Sequence, residues 1–236
     1  MDAGIYTTLT RQSGLMREMQ TVANNIANIS TSGFRREGVM FSEYIAKMGD
    51  GPSLSMANAN TRVVDLAQAG VTQTGGAFDL AIQGDGFFQV QTPGGPRLTR
   101  AGSFTPSAAG ILVNPDGHAL LDQGGAPVAI DPAAANVVIA QDGTISAGGT
   151  PVGQLGLWQP VDPLSLRHEA GVLFSAGDLA PAEGGKILQG FLEDSNVNPV
   201  FEIARMIEVQ RAYELGQSFM DQEDRRTRSV IDSLGR

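Results

Sequence analysis

Apolar residues recur at two different periods along this chain, and the switch points divide it. Over residues 3–29, Ile5, Leu9, Gln12, Met16, Met19, Ala23 and Ile26 follow alternating spacings of four and three. Leu15, Val22 and Ile29 add a flanking row seven apart. This is a heptad seam with a polar insertion at Gln12, and it predicts one helix roughly 40 Å long. No second helical pattern follows closely, so the stripe needs a distant partner. From about residue 77 the period becomes two. Short apolar runs such as Ala77–Ile82, Phe87–Gln91, Ile111–Val113, Val137–Ala140 and Lys186–Glu193 alternate with turn signals such as Gly84-Asp85-Gly86 and Asn114-Pro115-Asp116-Gly117. Strands at this spacing, with Pro in the connections, predict an antiparallel all-β domain. At Asn198-Pro199 the helical period returns, with Asn198 a good N-cap and Pro199 a good first helical residue. Ile203, Met206, Tyr213, Met220, Ile231 and Leu234 share one three-four register with Gln210, Gln217, Asp224 and Thr227, so this second seam alternates apolar and polar layers up to about residue 234.

Residues 34–75 fit neither pattern. Phe41, Tyr44, Ile45 and Met48 suggest a short amphipathic turn, which Gly49-Asp50-Gly51-Pro52 breaks. The expected organisation is therefore an N-terminal helix within 1–33, an extended, irregular segment at 34–75, an all-β domain at 76–193 and a C-terminal helix within 194–236. The fold class is α+β, with the two terminal helices pairing as a coiled coil.

Composition narrows the function. The net charge is −9, but residues 1–48 carry five basic against four acidic groups and residues 199–236 six against seven, so the middle holds the excess. An acidic body argues against nucleic acid as a partner, because phosphate binding needs clustered Lys and Arg. There is no apolar run of membrane-spanning length, no basic and apolar leader at Met1–Tyr6, and no Cys. Neither membrane insertion nor a cleaved signal is expected, and disulfides and thiolate chemistry are excluded. His118 and His168 lack metal-ligand spacing, and Gly84-Asp85-Gly86 runs on into Phe87-Phe88 instead of opening a helix. Asp85, Asp116 and Asp142 each precede a turn glycine, where local hydrogen bonding explains them. No catalytic constellation emerges, so no enzyme activity, cofactor or metal is expected.

Three motifs carry a resemblance. Ala23-Asn24-Asn25-Ile26-Ala27-Asn28 with Thr31-Ser32-Gly33-Phe34-Arg35 resembles the N-terminal motif of the bacterial flagellar rod and hook family. Leu80–Val90 followed by Leu98-Thr99-Arg100-Ala101-Gly102-Ser103-Phe104 is similar to the start of that family's β domain. Gly190-Phe191-Leu192-Glu193, Ser195–Pro199 and Met206–Glu214 resemble its C-terminal motif. The departures are Ile26 in place of the usual Leu and Thr31-Ser32 in place of Thr-Pro. The short stretch between the first two motifs points, within the family, to the proximal rod.

The resemblance implies a structural subunit of the periplasmic drive shaft that carries torque from motor to hook. It implies passage through the flagellar type III export apparatus, and contacts with other copies, neighbouring rod subunits and the surrounding rings. The expected assembly interface is Ile5, Leu9, Met16, Met19, Asn24, Asn25, Ile26, Asn28 and Phe34, with Ile203, Met206, Gln210, Tyr213, Gln217 and Met220. Contacts of this kind are heterologous and generate a helical tube. The alternatives that stay open are a distal rod protein and a secreted β-domain enzyme or adhesin on a coiled-coil stalk.

Overall fold

The computed structural model describes residues 3–46, 54–131 and 136–234, with the side chains of 3–7, 41–46, 54–61 and 234 outside the description. The chain forms two compact units. One combines the two terminal helices with Glu37–Val63, and the other combines Asn28–Arg36 with Val64–Val197.

In the helical unit, α1 spans Ala3–Ala27 and α2 spans Pro199–Leu234. The second matches its expected bounds because its start is chemically marked. Asn198 Oδ1 accepts from the amides of Val200 and Phe201 at 3.1 and 3.2 Å, and Pro199 has no amide to satisfy. The first stops at Ala27 instead of Ile29. Beyond it the Thr31 amide and hydroxyl both turn back onto Asn28, at 3.2 and 3.1 Å, a local alternative to continued helix. The helices pack antiparallel, since Gln12 meets Tyr213, Glu18 meets Arg205 and Asn25 meets Glu202.

The segment expected to be extended and irregular contains two regular extended stretches, β1 (Glu37–Ala46) and β2 (Leu54–Val64), which pair as a two-stranded sheet. Phe41, Tyr44 and Ile45 sit at helical spacing, yet with Val39 they form a β-branched and aromatic run that favours a strand. Short apolar runs cannot be told apart by period alone. In β2 the Ala57-Asn58-Ala59-Asn60 stretch has poor strand propensity, so pairing with β1 rather than composition makes it a strand.

The second unit is the antiparallel β region. Its largest sheet orders the strands Arg167–His168, Leu173–Ser175, Gly95–Thr99, Phe88–Thr92, Ala119–Leu120, Leu112–Val113 and Thr105–Pro106. Leu80–Gln83 pairs with Lys186–Gln189, and Val71–Gln73 with Phe191–Glu193, so distant parts of the chain close the unit. Phe88, Val90 and Thr92 point inward and alternate with Gln89 and Gln91, the period read from the sequence. The core gathers Leu80, Ile82, Phe88, Leu112, Leu120 and Ile145, with Phe88 edge-on to Phe104 at 5.8 Å.

Candidate assembly surface

Within the β unit, residues from all three motifs meet at one buried carboxylate. Glu193 accepts from Arg35 Nη2 at 2.9 Å on one oxygen and from Arg100 Nη1 at 3.1 Å on the other. The Ala69 amide also reaches the first oxygen, at 3.1 Å. Arg35 caps the Ala67 carbonyl at 2.6 Å and Arg100 the Gly84 carbonyl at 2.8 Å, while Arg100 lies 5.2 Å from the Phe87 ring centroid. Burial, and then the neighbouring Arg35, bring Arg100 down to about 10, so it remains cationic at neutral pH.

Gly33 locks the same junction. Its φ is +72°, and a side chain there would run into the backbone of Arg100 and Ala101. Its amide donates to the Glu193 carbonyl at 2.8 Å. Gly102 similarly leaves room for the Leu80 carbonyl. Asn196 ties three segments, accepting from the Arg36 amide at 2.6 Å and donating to the Asp65 and Ala67 carbonyls at 3.1 and 2.9 Å. Phe34 is fully buried, edge-on to His168 at 5.5 Å.

The contact between α1 and α2 is largely polar. Asn25 presents its amide edge to the Glu37 backbone, donating to the carbonyl at 2.8 Å and accepting from the amide at 2.9 Å. The same nitrogen donates to buried Glu202 at 3.1 Å, and Asn24 reaches Glu37 at 3.4 Å. Further along, Glu18 accepts from Arg205 Nε at 2.7 Å. Gln12 donates to the Tyr213 carbonyl at 2.9 Å, where Gly216 supplies the space for it.

The contact therefore runs along a row beside the heptad seam. Gly14, Glu18, Thr21, Val22 and Asn25 are buried. Of the seam, Gln12 is buried in this contact and the apolar positions face outward: Leu9 is 56% exposed and Met16 41%, Ala23 is exposed, and Met19 and Ile26 are half-buried. On α2, Ile203 is 51% exposed, and Val200 and Ile207 on the same face are exposed too. Gln210 and Gln217 are exposed, and Met206, Tyr213 and Met220 are half-buried. Grooves flank the helix pair, one of about 440 Å³ along Leu9, Met16 and Tyr213, the other of about 380 Å³ along Leu15, Leu215 and Phe219.

Of the residues expected at an interface, Asn25 and Phe34 are thus taken up inside their own chain. Asn28 is half-buried and holds the turn after α1. The Ile5 side chain lies outside the described residues. The Arg35–Glu193–Arg100 cluster and the structural role of Asn196 went unread, although each lies inside a quoted motif. An Arg or Glu amid glycine and aromatic neighbours was the available signal.

Among the described residues, no helix is long and apolar enough to cross a membrane, and no group of three acidic or His residues could hold a metal. Three family models match the chain: flagella basal body rod protein over residues 5–35, flagellar hook protein FlgE/F/G D1 domain over 81–147, and flagellar basal body rod FlgEFG protein C-terminal over 188–233. The flagellar basal-body rod protein FlgF of Caulobacter vibrioides is 42% identical over 243 residues, covering 100% of this chain and 99% of that protein. FlgF of Mesorhizobium japonicum is 36% identical over 244 residues with the same coverage. The rod protein FlgG of Bacillus subtilis is 27% identical over 257 residues, covering 97% of each chain. With three matching models in order and full-length relatives, the chain belongs to the flagellar basal-body rod protein family.

Proposed function

We propose that this chain is a structural subunit of the proximal rod, and that its outward helix faces are where neighbouring rod subunits and further copies pack. One observation carries the reading: the helices spend Gln12, Glu18, Asn25, Glu202 and Arg205, beside buried Val22, on the inward contact and leave Leu9, Met16, Val200, Ile203 and Ile207 to water. A stable solitary protein gains nothing from such a face, whereas contiguous exposed apolar surface marks an interaction site. Heptad spacing on α1 suits a neighbouring helix, with knobs-into-holes packing between chains rather than within one. The proximal position is supported by full-length similarity to proteins named FlgF, at higher identity than to the FlgG relative. Passage through the flagellar export apparatus and contact with the surrounding rings belong to the same proposal.

The test is the pair Leu9→Asp and Met16→Asp, introduced together. The purified chain should keep its melting temperature, because both side chains are exposed, while cells should stop swimming and their basal bodies should lack the subunit. Normal basal-body composition in these cells would overturn the proposal.

A further inference from the structure

A second site lies in the β unit. A cavity of about 140 Å³ is lined by Trp158, Gln123, Gln141, Asp142 and Gln154, with Leu157 and Pro181 among its apolar walls. That is several times the roughly 30 Å³ share of one water. The indole N–H of Trp158 is buried and has no hydrogen-bond partner. Buried donors are nearly always paired, so an orphan of this kind calls for a partner from outside the chain. Gly156 keeps the indole edge open, since a Cβ there would stand 3.0 Å from Nε1. Around it, the side-chain amides of Gln123 and Gln141 make no hydrogen bond among the described residues, while Gln154 leans on the Asp142 carbonyl at 3.3 Å.

The donor and acceptor pattern selects the ligand. The indole needs an acceptor. The exposed Asp142 carboxylate, held below its ordinary range by the Thr144 amide that donates to Oδ1, can accept a further donor. The two glutamine amides offer both. A cationic side chain has no acceptor for the indole, and an anion is opposed by Asp142. A hydroxyl group serves every position, and an aliphatic ring face suits the apolar walls.

We propose that this cavity binds a neutral, polyhydroxylated ligand, one sugar ring in size. Trp158 is the chain's sole tryptophan, so its emission reports on this site alone. The experiment titrates the full-length chain with glucose and with N-acetylglucosamine. At the ligand efficiency usual for small molecules, half-saturation is expected at about millimolar sugar. The change in emission should be saturable, and it should disappear in the Gln123→Ala, Gln141→Ala double variant, whose exposed positions leave folding intact. Gly156→Ala should abolish it too. Absence of a saturable change up to about tenfold that concentration, or one that persists unchanged in the double variant, would overturn the proposal.

Discussion

Glu193 answers two guanidiniums at once, and that ratio sets what each member of the cluster does. Replacing a whole buried ion cluster by apolar groups is often harmless, but removing one partner leaves uncompensated charge in a low-dielectric site. Glu193→Gln should therefore cost roughly 3–5 kcal/mol of β-unit stability, the range for breaking a buried pair. Denaturant unfolding followed at Trp158 measures it, and a loss below about 1 kcal/mol would contradict the assignment. The sign of the pH dependence follows from Arg100. Its folded value, about 10, lies below its unfolded one, so the folded state releases that proton first. The cost of burying the cation is fully present below about 10 and is relieved as pH rises through and beyond it. The stability difference between the native chain and Arg100→Met should thus stay flat from pH 6 to pH 8 and begin to climb only towards pH 10. A slope near neutrality would show that another group is titrating.

At the scale of elements, the two faces of α1 have different tasks. Val22 is almost fully buried on the inward row, and Leu9 stands on the outward seam. Val22→Asp should speed amide hydrogen exchange across α1 by about a hundredfold or more, since burying an unpaired carboxylate costs about 3 kcal/mol or above. Leu9→Asp should leave exchange nearly unchanged. Equal effects would mean that the faces are not distinct. How much of this was legible in the sequence follows from the same helices. The bounds of α2 were readable because Asn198 and Pro199 act through local backbone chemistry. The seam was readable as a periodicity, but its partner was not. Spacing reports that Leu9 and Met16 share a face and is silent on whether the chain itself covers that face. Polar residues won the internal contact because Asn25 can satisfy a strand backbone and a buried glutamate together, a match invisible until β1 is in place. The cluster at Glu193 was hidden for a similar reason, since its members lie 158 and 93 residues apart along the chain.

At the scale of the whole molecule, the β unit is discontinuous. Residues 28–36 supply Gly33, Phe34 and Arg35 to a body formed mainly by 64–197. The segment 76–193, the all-β domain expected from the sequence, lacks both these groups and Asn196. A fragment of residues 64–197 should be less stable than the same fragment supplied with saturating 28–36 peptide, by roughly 3–5 kcal/mol for the emptied aromatic site of Phe34, with Glu193 left to Arg100 alone. Thermal melts with and without the peptide read this directly. Equal melting would show that the first segment is only a passing connection.

The outward seam carries one more consequence, in heat. Apolar surface withdrawn from water lowers heat capacity, and near room temperature its gain is entropic. The joints proposed above over Leu9, Met16, Ile203 and Ile207 should therefore weaken on cooling, unlike the polar contacts inside each chain. Light scattering of the purified subunit should rise reversibly with warming from about 5 to about 30 °C, across the range where this driving force strengthens. Leu9→Asp with Met16→Asp should flatten that rise. A shaft built this way is welded by warmth, while the hydrogen bonds within each subunit change little over the same interval.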